Sequence, residues 1–268
     1  KLSGTTKNKL SIGLLNAITG EANAIIRNIE DGSTRKQIIA PLTNYNVVSL
    51  TQQLLNDYSS VGVHNTNVNR SNGGFNANNT AFITELYDNN RNFSFSTRAY
   101  FSDAPRYSSR RGFRGSVDIS ELRGNFRYSI GWFGTDKYYN QNELGYYNQQ
   151  NSQRLYGRVR YQILNEFKSL RTYSNYLFFG ETKRYDTFKK VANGWRFGNN
   201  FEFKNLQKFS IDFDYTGVTK DYYETRNTDR YLIVPSNFDI QLEFSSNPTK
   251  KLTYGIEFSN IKSNNEQF

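Results

Sequence analysis

The sequence of 268 residues contains no cysteine and no methionine, and it has a single histidine. Without cysteine there is no disulfide framework, zinc–thiolate site or iron–sulfur cluster. The lone His64 excludes metal sites built from several histidines and disfavours a histidine-based catalytic triad. No apolar run reaches the roughly 18 residues that a membrane-spanning helix needs, which excludes a helical membrane protein.

Aromatic residues are abundant in this otherwise polar chain. The sequence has 20 Tyr and 21 Phe, although its mean hydropathy is −0.76 and its formal net charge is +10. A solvated, disordered chain is poor in aromatic residues. The rings must therefore be anchored, either in a protein core or in a membrane.

Strict alternation of apolar and polar residues dominates the sequence. It is clearest in NFRYSIGWFG (125–134), FSIDFDYTG (209–217) and FDIQLEF (238–244). A period of two predicts β-strands with one apolar and one polar face. No segment of comparable length has the spacing of an amphipathic helix, so the chain is predicted to be all-β.

About fourteen such segments follow one another, with the ten-residue length that is typical of strands crossing a bilayer. They lie near 1–5, 9–18, 41–56, 58–68, 79–87, 92–101, 113–122, 124–135, 154–164, 170–181, 195–205, 207–217, 236–246 and 251–261. The connections alternate between short and long, and the long ones are 19–40, 69–78, 102–112, 136–153, 182–194 and 218–235. Short periplasmic turns and long extracellular loops are typical of an antiparallel transmembrane β-barrel.

A barrel reconciles the polar composition with a membrane. Within lipid every backbone N–H and C=O group must be paired, which a sheet achieves by closing on itself. The outward face is then apolar, with Trp132 and Trp195 among the expected interfacial residues, and the inward face stays polar. The alternative is a soluble sandwich whose core holds the aromatic residues.

The parity of the segments predicts that residues 1–268 form an outer-membrane barrel domain that is incomplete at both ends. If the short turns are periplasmic, the first segment runs from the cell surface toward the periplasm and the last runs back toward the surface. Bacterial single-chain barrels have both termini in the periplasm. We therefore expect sixteen or more strands in the complete protein, and we interpret Phe268 as a truncation point.

Three stretches of the chain resemble a known family. PLTNYNVVSLTQQLLNDYSSVGVHNTNVNR (Pro41–Arg70), SIGLLNAITGE (Ser11–Glu21) and TKDYYETRNTDRY (Thr219–Tyr231) are similar to a family of Bacteroidota outer-membrane barrels of unknown function. These barrels commonly follow a domain resembling carbohydrate-binding module family 9. The resemblance implies the barrel fold, an outer-membrane location and a missing N-terminal domain, but it supplies no catalytic residue. The basic segments SSRRGFRG and TFKKVANGWR depart from the family pattern.

The polar residues that alternate with the apolar ones are predicted to line the lumen. The basic ones are Arg98, Arg127, Arg158, Arg160 and Arg196. The acidic ones are Glu202, Asp212, Asp214, Asp239, Glu243 and Glu257. Because strands far apart in sequence lie on different walls, we expect cationic and anionic walls to face each other and to orient dipolar solutes. The alternative is that these side chains solvate or cross-link a filled interior.

The long loops combine aromatic rings with amides and carboxylates, which suits stacking against sugar rings. The candidate ligand contacts are Tyr138, Tyr139, Tyr146, Tyr147, Tyr222 and Tyr223. The same composition also fits loops that pack on each other or on a partner. Basic loop residues such as Arg110, Lys183 and Lys190 are expected to meet lipopolysaccharide phosphates. With no recognition motif, we expect no nucleic-acid partner.

Ser59, Ser60, His64 and Asn65 supply the residue types of a phospholipase site, but the serines precede a turn. A strand histidine is more often a hydrogen-bonding lumen residue. We therefore predict no catalytic residue, no metal and no cofactor.

The expected function is that of an outer-membrane protein without enzymatic activity. It is either a porin-like or partner-gated channel, or a surface anchor for a glycan-binding domain. The alternatives are a structural subunit of a larger outer-membrane complex and a TonB-dependent transporter barrel, which needs an upstream plug domain. A soluble glycan-binding β-protein is disfavoured. The expected partners are outer-membrane lipid and lipopolysaccharide, other outer-membrane or periplasmic proteins, and a glycan.

Overall fold

The structure is a computed structural model that describes residues 1–72, 74–142, 151–222, 224–225 and 229–264. Within these residues the chain forms 18 β-strands and no helix, which confirms the all-β prediction. In chain order the strands are β1 (Leu2–Thr5), β2 (Leu10–Thr19), β3 (Ala22–Arg27), β4 (Thr34–Ala40), β5 (Thr43–Gln53), β6 (Ser60–Arg70), β7 (Ala77–Tyr87), β8 (Phe93–Asp103), β9 (Gly112–Glu121), β10 (Phe126–Thr135), β11 (Ser152–Ile163), β12 (Leu170–Arg184), β13 (Lys190–Phe203), β14 (Lys208–Thr216), β15 (Thr219–Asp221), β16 (Leu232–Val234), β17 (Asn237–Ser245) and β18 (Gly255–Ser263).

Fourteen of the strands belong to one antiparallel sheet. Its order is β1-β2-β5-β6-β7-β8-β9-β10-β11-β12-β13-β14-β17-β18, which follows the chain. These fourteen strands correspond one to one to the fourteen alternating segments of the sequence, with bounds that differ by up to five residues. Within the described residues β1 and β18 end the order without pairing with each other, so the sheet is not closed into a barrel.

The structure corrects the predicted connections in two ways. The long connection 19–40 contains the hairpin β3–β4, and 218–235 contains the hairpin β15–β16; each hairpin is a separate two-stranded sheet. The connection predicted at 182–194 shrinks to 185–189, because β12 and β13 continue to pair through polar residues. The strict alternation of short and long connections is therefore wrong, although the connections at 20–42, 136–151 and 217–236 remain long.

The chain divides into two compact units. The first comprises residues 1–87, 96–116 and 135–151, and the second comprises 88–95, 117–134 and 152–268. In the first unit, one face of β2, β5, β6 and β7 carries a run of asparagine amides at one end and aliphatic side chains at the other; we call it the amide face. Its opposite face contains the buried residues Thr43, Val68 and Ala77.

In the second unit the register aligns alternate residues of six strands into two chemically distinct faces. The apolar face contains the row Phe201–Phe209–Phe244–Ile256 and the row Trp195–Tyr215–Phe238. Neighbouring rings on this face contact one another, with centroids 6.1 Å apart for Phe201 and Phe209 and 6.1 Å apart for Trp195 and Tyr215. The alternate residues form the polar face, on which most of the charged side chains lie; Glu181 and Lys262 occupy positions of the apolar face.

The apolar face is exposed, which is unusual for a soluble protein. Leu155, Leu177, Phe179 and Phe258 are 50%, 43%, 48% and 53% exposed. A monomeric soluble protein rarely exposes a contiguous apolar patch of more than a few hundred Å². No helix that is long and apolar enough to cross a membrane occurs among the described residues.

Candidate functional site

The polar face of the second unit carries most of the side chains that the sequence predicted to line a lumen. Register pairing places Arg158, Phe178, Arg196, Asp214 and Asp239 in one row across β11, β12, β13, β14 and β17. A second row, one step along the strands, leads from Arg160 through Tyr176, Gly198 and Asp212 to Gln241. The face therefore changes from basic on β11 to acidic on β14 and β17.

The basic and acidic side chains are not confined to strands that are far apart. Arg196 on β13 donates from Nε to Oδ2 of Asp214 on the adjacent strand β14. In the first unit, Nη2 of Arg98 lies 2.9 Å from Oε1 of Glu85. The predicted separation of cationic and anionic walls is thus wrong for Arg196, because its acidic partner is its direct register neighbour.

Arg158 and Arg154 share an aromatic neighbour on β12. Their guanidinium carbons lie 5.8 Å and 5.2 Å from the ring centroid of Phe178, within cation–π range. This contact holds two cations on the polar face without neutralising them. Among the other predicted basic residues, Arg127 donates from Nε to the carbonyl of Gly124 at 3.1 Å, at the beginning of β10.

Two tyrosines cross the polar face over glycines. The hydroxyl of Tyr176 on β12 donates to Oδ1 of Asp212 on β14 at 2.6 Å, and Gly198 lies between them on β13. A Cβ at Gly198 would lie 2.2 Å from the aspartate oxygen and 2.5 Å from the ring. The side chain of a larger residue would separate the tyrosine from its acceptor.

The same arrangement recurs earlier in this unit. Tyr156 donates to Oδ2 of Asp118 at 2.8 Å, and a Cβ at Gly131 would lie 2.5 Å from the tyrosine ring and 2.6 Å from the carboxylate. In both cases a ring lies over a glycine backbone and its hydroxyl ends on a carboxylate. These bridges make the polar face a cross-linked surface rather than a set of independent charges.

A polar pocket of about 300 Å³ lies on the same face, near the short turns. It is lined mainly by polar residues: Thr172, Ser174, Asn200, Phe201, Glu202, Lys208, Phe209, Ser210, Glu243 and Ser245. Oε1 of Glu202 forms an ion pair with Nη1 of Arg171 at 2.9 Å. Glu243 and Glu257 are direct register partners on β17 and β18, so two like charges lie side by side next to the pocket.

The loop tyrosines divide into accessible and buried ones. Tyr138 is half-buried, accepts a hydrogen bond from Nη1 of Arg110 at 2.8 Å, and lies under that guanidinium. Tyr222 lies under Arg184, whose guanidinium carbon is 4.7 Å from the ring centroid. Tyr139 is 1% exposed, so the ligand contact predicted for it lacks an accessible ring. Tyr146, Tyr147 and Tyr223 lie outside the described residues, as does Phe268.

His64 lies beside a serine on the neighbouring strand. Its Nδ1 lies 2.8 Å from Oγ of Ser49, its register partner on β5. Ser59, one of the serines considered for a phospholipase site, is buried and donates to the carbonyl of Tyr87. Across the parts of the chain that the structure describes, no three His, Cys, Asp or Glu side chains are grouped as metal ligands.

Sequence reasoning missed the tyrosine–glycine bridges, although a signal was present. Gly131 and Gly198 interrupt the interior of otherwise regular strands, and a glycine at such a position marks the close approach of another group. Identifying Tyr156 and Tyr176 as the approaching groups required the register between strands, which the sequence does not contain.

The fold and the site define an all-β protein whose long antiparallel sheet has a cross-linked, charged face and an exposed apolar face. The chain belongs to the family of the domain of unknown function DUF5916, whose profile matches residues 1–268. Searches of curated proteins and of solved structures found no match.

Proposed function

We propose that this chain forms the wall of a bacterial outer-membrane β-barrel whose polar face lines a passage for small solutes. The observation that supports this most strongly is the segregation of the second unit into an exposed aromatic face and a charged face. Lipid is the environment in which an exposed face of Phe, Leu and Ile is stable. A polar lumen accounts for the charged face at the same time.

The apolar face covers most of the height of the apolar band of an outer-membrane barrel. On β14 and β17 every residue of this face is apolar or aromatic, from Phe209 to Tyr215 and from Phe238 to Phe244. The seven residues of each apolar stretch, at about 3.3 Å per residue, are about 23 Å long, and a tilt of about 40° reduces their height to about 18 Å. The apolar band of outer-membrane barrels is about 25 Å tall.

The proposal requires that the free edges of the sheet be paired. In lipid the unpaired N–H and C=O groups of β1 and β18 would each cost several kcal/mol. These edges therefore pair with each other or with further strands when the protein is inserted.

Insertion is tested by detergent phase partitioning and by flotation with liposomes. We expect the chain to enter the detergent phase and to float with vesicles after extraction at high salt and alkaline pH. Recovery in the aqueous phase, with a monodisperse particle in buffer alone, would contradict the membrane proposal.

The passage is tested by ion selectivity in a planar bilayer. Arg158→Glu with Arg160→Glu replaces two cations of the polar face by two anions, so the permeability ratio should shift from anions toward cations. The matched control is Arg35→Glu with Lys36→Glu, which makes the same charge change in the separate hairpin β3–β4. Unchanged selectivity in the first variant would refute a conducting polar face.

The loops support lipopolysaccharide and glycans as partners. Arg110 beside Tyr138, Arg184 over Tyr222 and Lys220 over Tyr231 each combine a cation with a flat ring. Cations suit phosphate groups and rings suit sugar faces. We therefore propose these loops as the contact with the outer leaflet or with a surface glycan.

A further inference from the structure

The amide face of the first unit differs in chemistry from the apolar face of the second. Over the described lengths of β2, β5, β6 and β7 it carries no Asp, Glu, Lys or Arg, although the chain has a net charge of +10. Register pairing places Asn16, Asn46, Asn67 and Asn78 in one unbroken row across the four strands. This row is an uncharged stripe of amides on an exposed sheet face.

Members of the stripe hydrogen-bond to asparagine amides within it and beside it. Nδ2 of Asn16 lies 2.6 Å from Oδ1 of Asn44 and 2.7 Å from Oδ1 of Asn46. Nδ2 of Asn65 lies 3.1 Å from Oδ1 of Asn78. Each asparagine side chain has two donors and two acceptor lone pairs, so these contacts use only part of its capacity.

The stripe shortens the apolar part of this face. One row, Ile12–Leu50–Val63–Phe82, is apolar on all four strands, and the next row toward the asparagines contains Asn65 and Thr80. On β14 and β17 of the second unit, by contrast, the apolar face is apolar throughout. Amides that face lipid without partners are costly, so the amide face is poorly suited to lipid contact over its full height.

We propose that the amide face packs against the same face of a second copy of this chain, forming a two-fold dimer; this rests on the proposed insertion in a membrane. Amides are self-complementary because each one both donates and accepts. A two-fold interface brings a surface against itself, which suits a row of identical side chains. Side-chain amides also favour association between membrane segments.

The neutrality of the amide face and its area are both consistent with a second copy as the partner. Two copies that each carry +10 repel each other, and an interface free of charged side chains keeps like charges out of direct contact; the amide face is such a surface. Four strands spaced by about 4.8 Å and ten residues long at about 3.3 Å measure about 19 by 33 Å, or about 630 Å² per copy. The total of about 1,250 Å² reaches the lower end of stable interfaces.

The first experiment uses the absence of cysteine in the chain. Val48→Cys introduces a single thiol in the middle of the amide face, where Val48 is 36% exposed. In detergent or vesicles, a bis-maleimide with a spacer of about 10 Å, the separation of two packed sheets, should link two copies. The control is Leu177→Cys on the apolar face, which should give no product above random collision.

The product should migrate at twice the 31.2 kDa of the chain. A chain that partitions into detergent but remains monomeric, or that cross-links equally from Leu177→Cys, overturns the dimer while the membrane proposal stands. A product of another mass also overturns it, because it identifies a different occupant. A chain that stays in the aqueous phase overturns both proposals.

The second experiment removes the amides from the central strands. Asn46→Leu with Asn67→Leu should weaken the dimer roughly tenfold or more, because four amides are lost per dimer. The matched control is Asn175→Leu with Asn199→Leu, an outward register pair on β12 and β13. Dimerisation measured by light scattering in detergent should be unchanged in the control; equal affinity in both variants refutes the role of the stripe.

Discussion

A substitution at Gly112 tests how closely the connection after β10 packs against the beginning of β9. An ideal Cβ at this position would lie 2.1 Å from Cα and 2.2 Å from N of Tyr139, both backbone atoms. An overlap of this size with backbone cannot be relieved by a rotamer change, so Gly112→Ala must displace the segment around Tyr139. That segment is well anchored in the structure, because Tyr139 is 1% exposed and the amide of Asn140 donates to Oγ of Ser102 at 2.9 Å.

The magnitude follows from what is lost when the segment moves. Exposing a fully buried aromatic side chain costs about 1.5–3 kcal/mol, and each lost hydrogen bond costs about 1 kcal/mol. The amides of Tyr138 and Tyr139 both donate to Oδ1 of Asp136, at 2.8 and 2.7 Å. After the regained chain entropy is subtracted, we expect a loss of about 2 kcal/mol in local stability, which is roughly a 30-fold drop in exchange protection.

Amide hydrogen exchange measures this directly at Tyr139 and Asn140. Ser102→Ala, which removes the acceptor alone, should reduce protection by a smaller factor. Gly20→Ala is the control, since nothing lies within 4 Å of its Cβ position. If Gly112→Ala leaves protection at Tyr139 and Asn140 unchanged, the close packing of this segment on β9 is refuted.

Two further predictions concern the second unit. Gly198→Val should separate Tyr176 from Asp212 and lower the free energy of unfolding by about 1–3 kcal/mol. Denaturant titration measures this loss, with Gly4→Ala as the control because nothing lies within 4 Å of its Cβ position. An unchanged unfolding midpoint for Gly198→Val would contradict the bridge. In the turn after β7, the backbone N–H of Phe93 donates to Asp88 and lowers the pKa of its carboxyl below the ordinary value of 3.8. The stabilisation by Asp88 should therefore be complete above pH 3.8 and disappear as the pH falls through the lowered pKa, so the melting temperatures of wild type and Asp88→Asn should converge in acid.

Alternation alone was enough to place the fourteen strands of the main sheet, because each has one apolar and one polar side. The clearest example is β14, where Phe209, Ile211 and Phe213 alternate with Ser210 and Asp212. The observed strand boundaries differ from the predicted ones where polar residues continue the hydrogen-bonded ladder. An example is the pairing of Thr182 and Lys183 on β12 with residues of β13. Side-chain polarity does not report backbone pairing at such positions.

The hairpin β3–β4 was missed for a different reason. Its turn contains Asp31–Gly32, and Gly32 has φ +70°, the conformation that such turns need. The flanking strands show no clear alternation, because Ile25 and Ile26, like Ile38 and Ile39, are adjacent in sequence. The turn signal was therefore informative where the periodicity was not.

The candidate site depended on register more than on residue type. The sequence identifies Arg196 and Asp214 as polar-face residues, but it does not say that they are neighbours. The sequence prediction placed basic and acidic residues on different walls. It therefore did not predict the ion pair between Arg196 and Asp214. The same limit applies to the asparagine row, whose four members lie on four strands.

Register in this sheet is controlled by its short turns, several of which contain a non-glycine residue in the left-handed conformation. Leu55, Arg91, Lys168 and Leu206 have φ values between 50° and 69°, each between two paired strands. This conformation costs a non-glycine residue about 1–2 kcal/mol, so the surrounding pairing must stabilise it. A slip of one residue at Leu206 would move the phenylalanines of β14 to the polar face and its aspartates to the apolar face. The local geometry of these turns therefore determines which side of the sheet can meet lipid and which can meet solute.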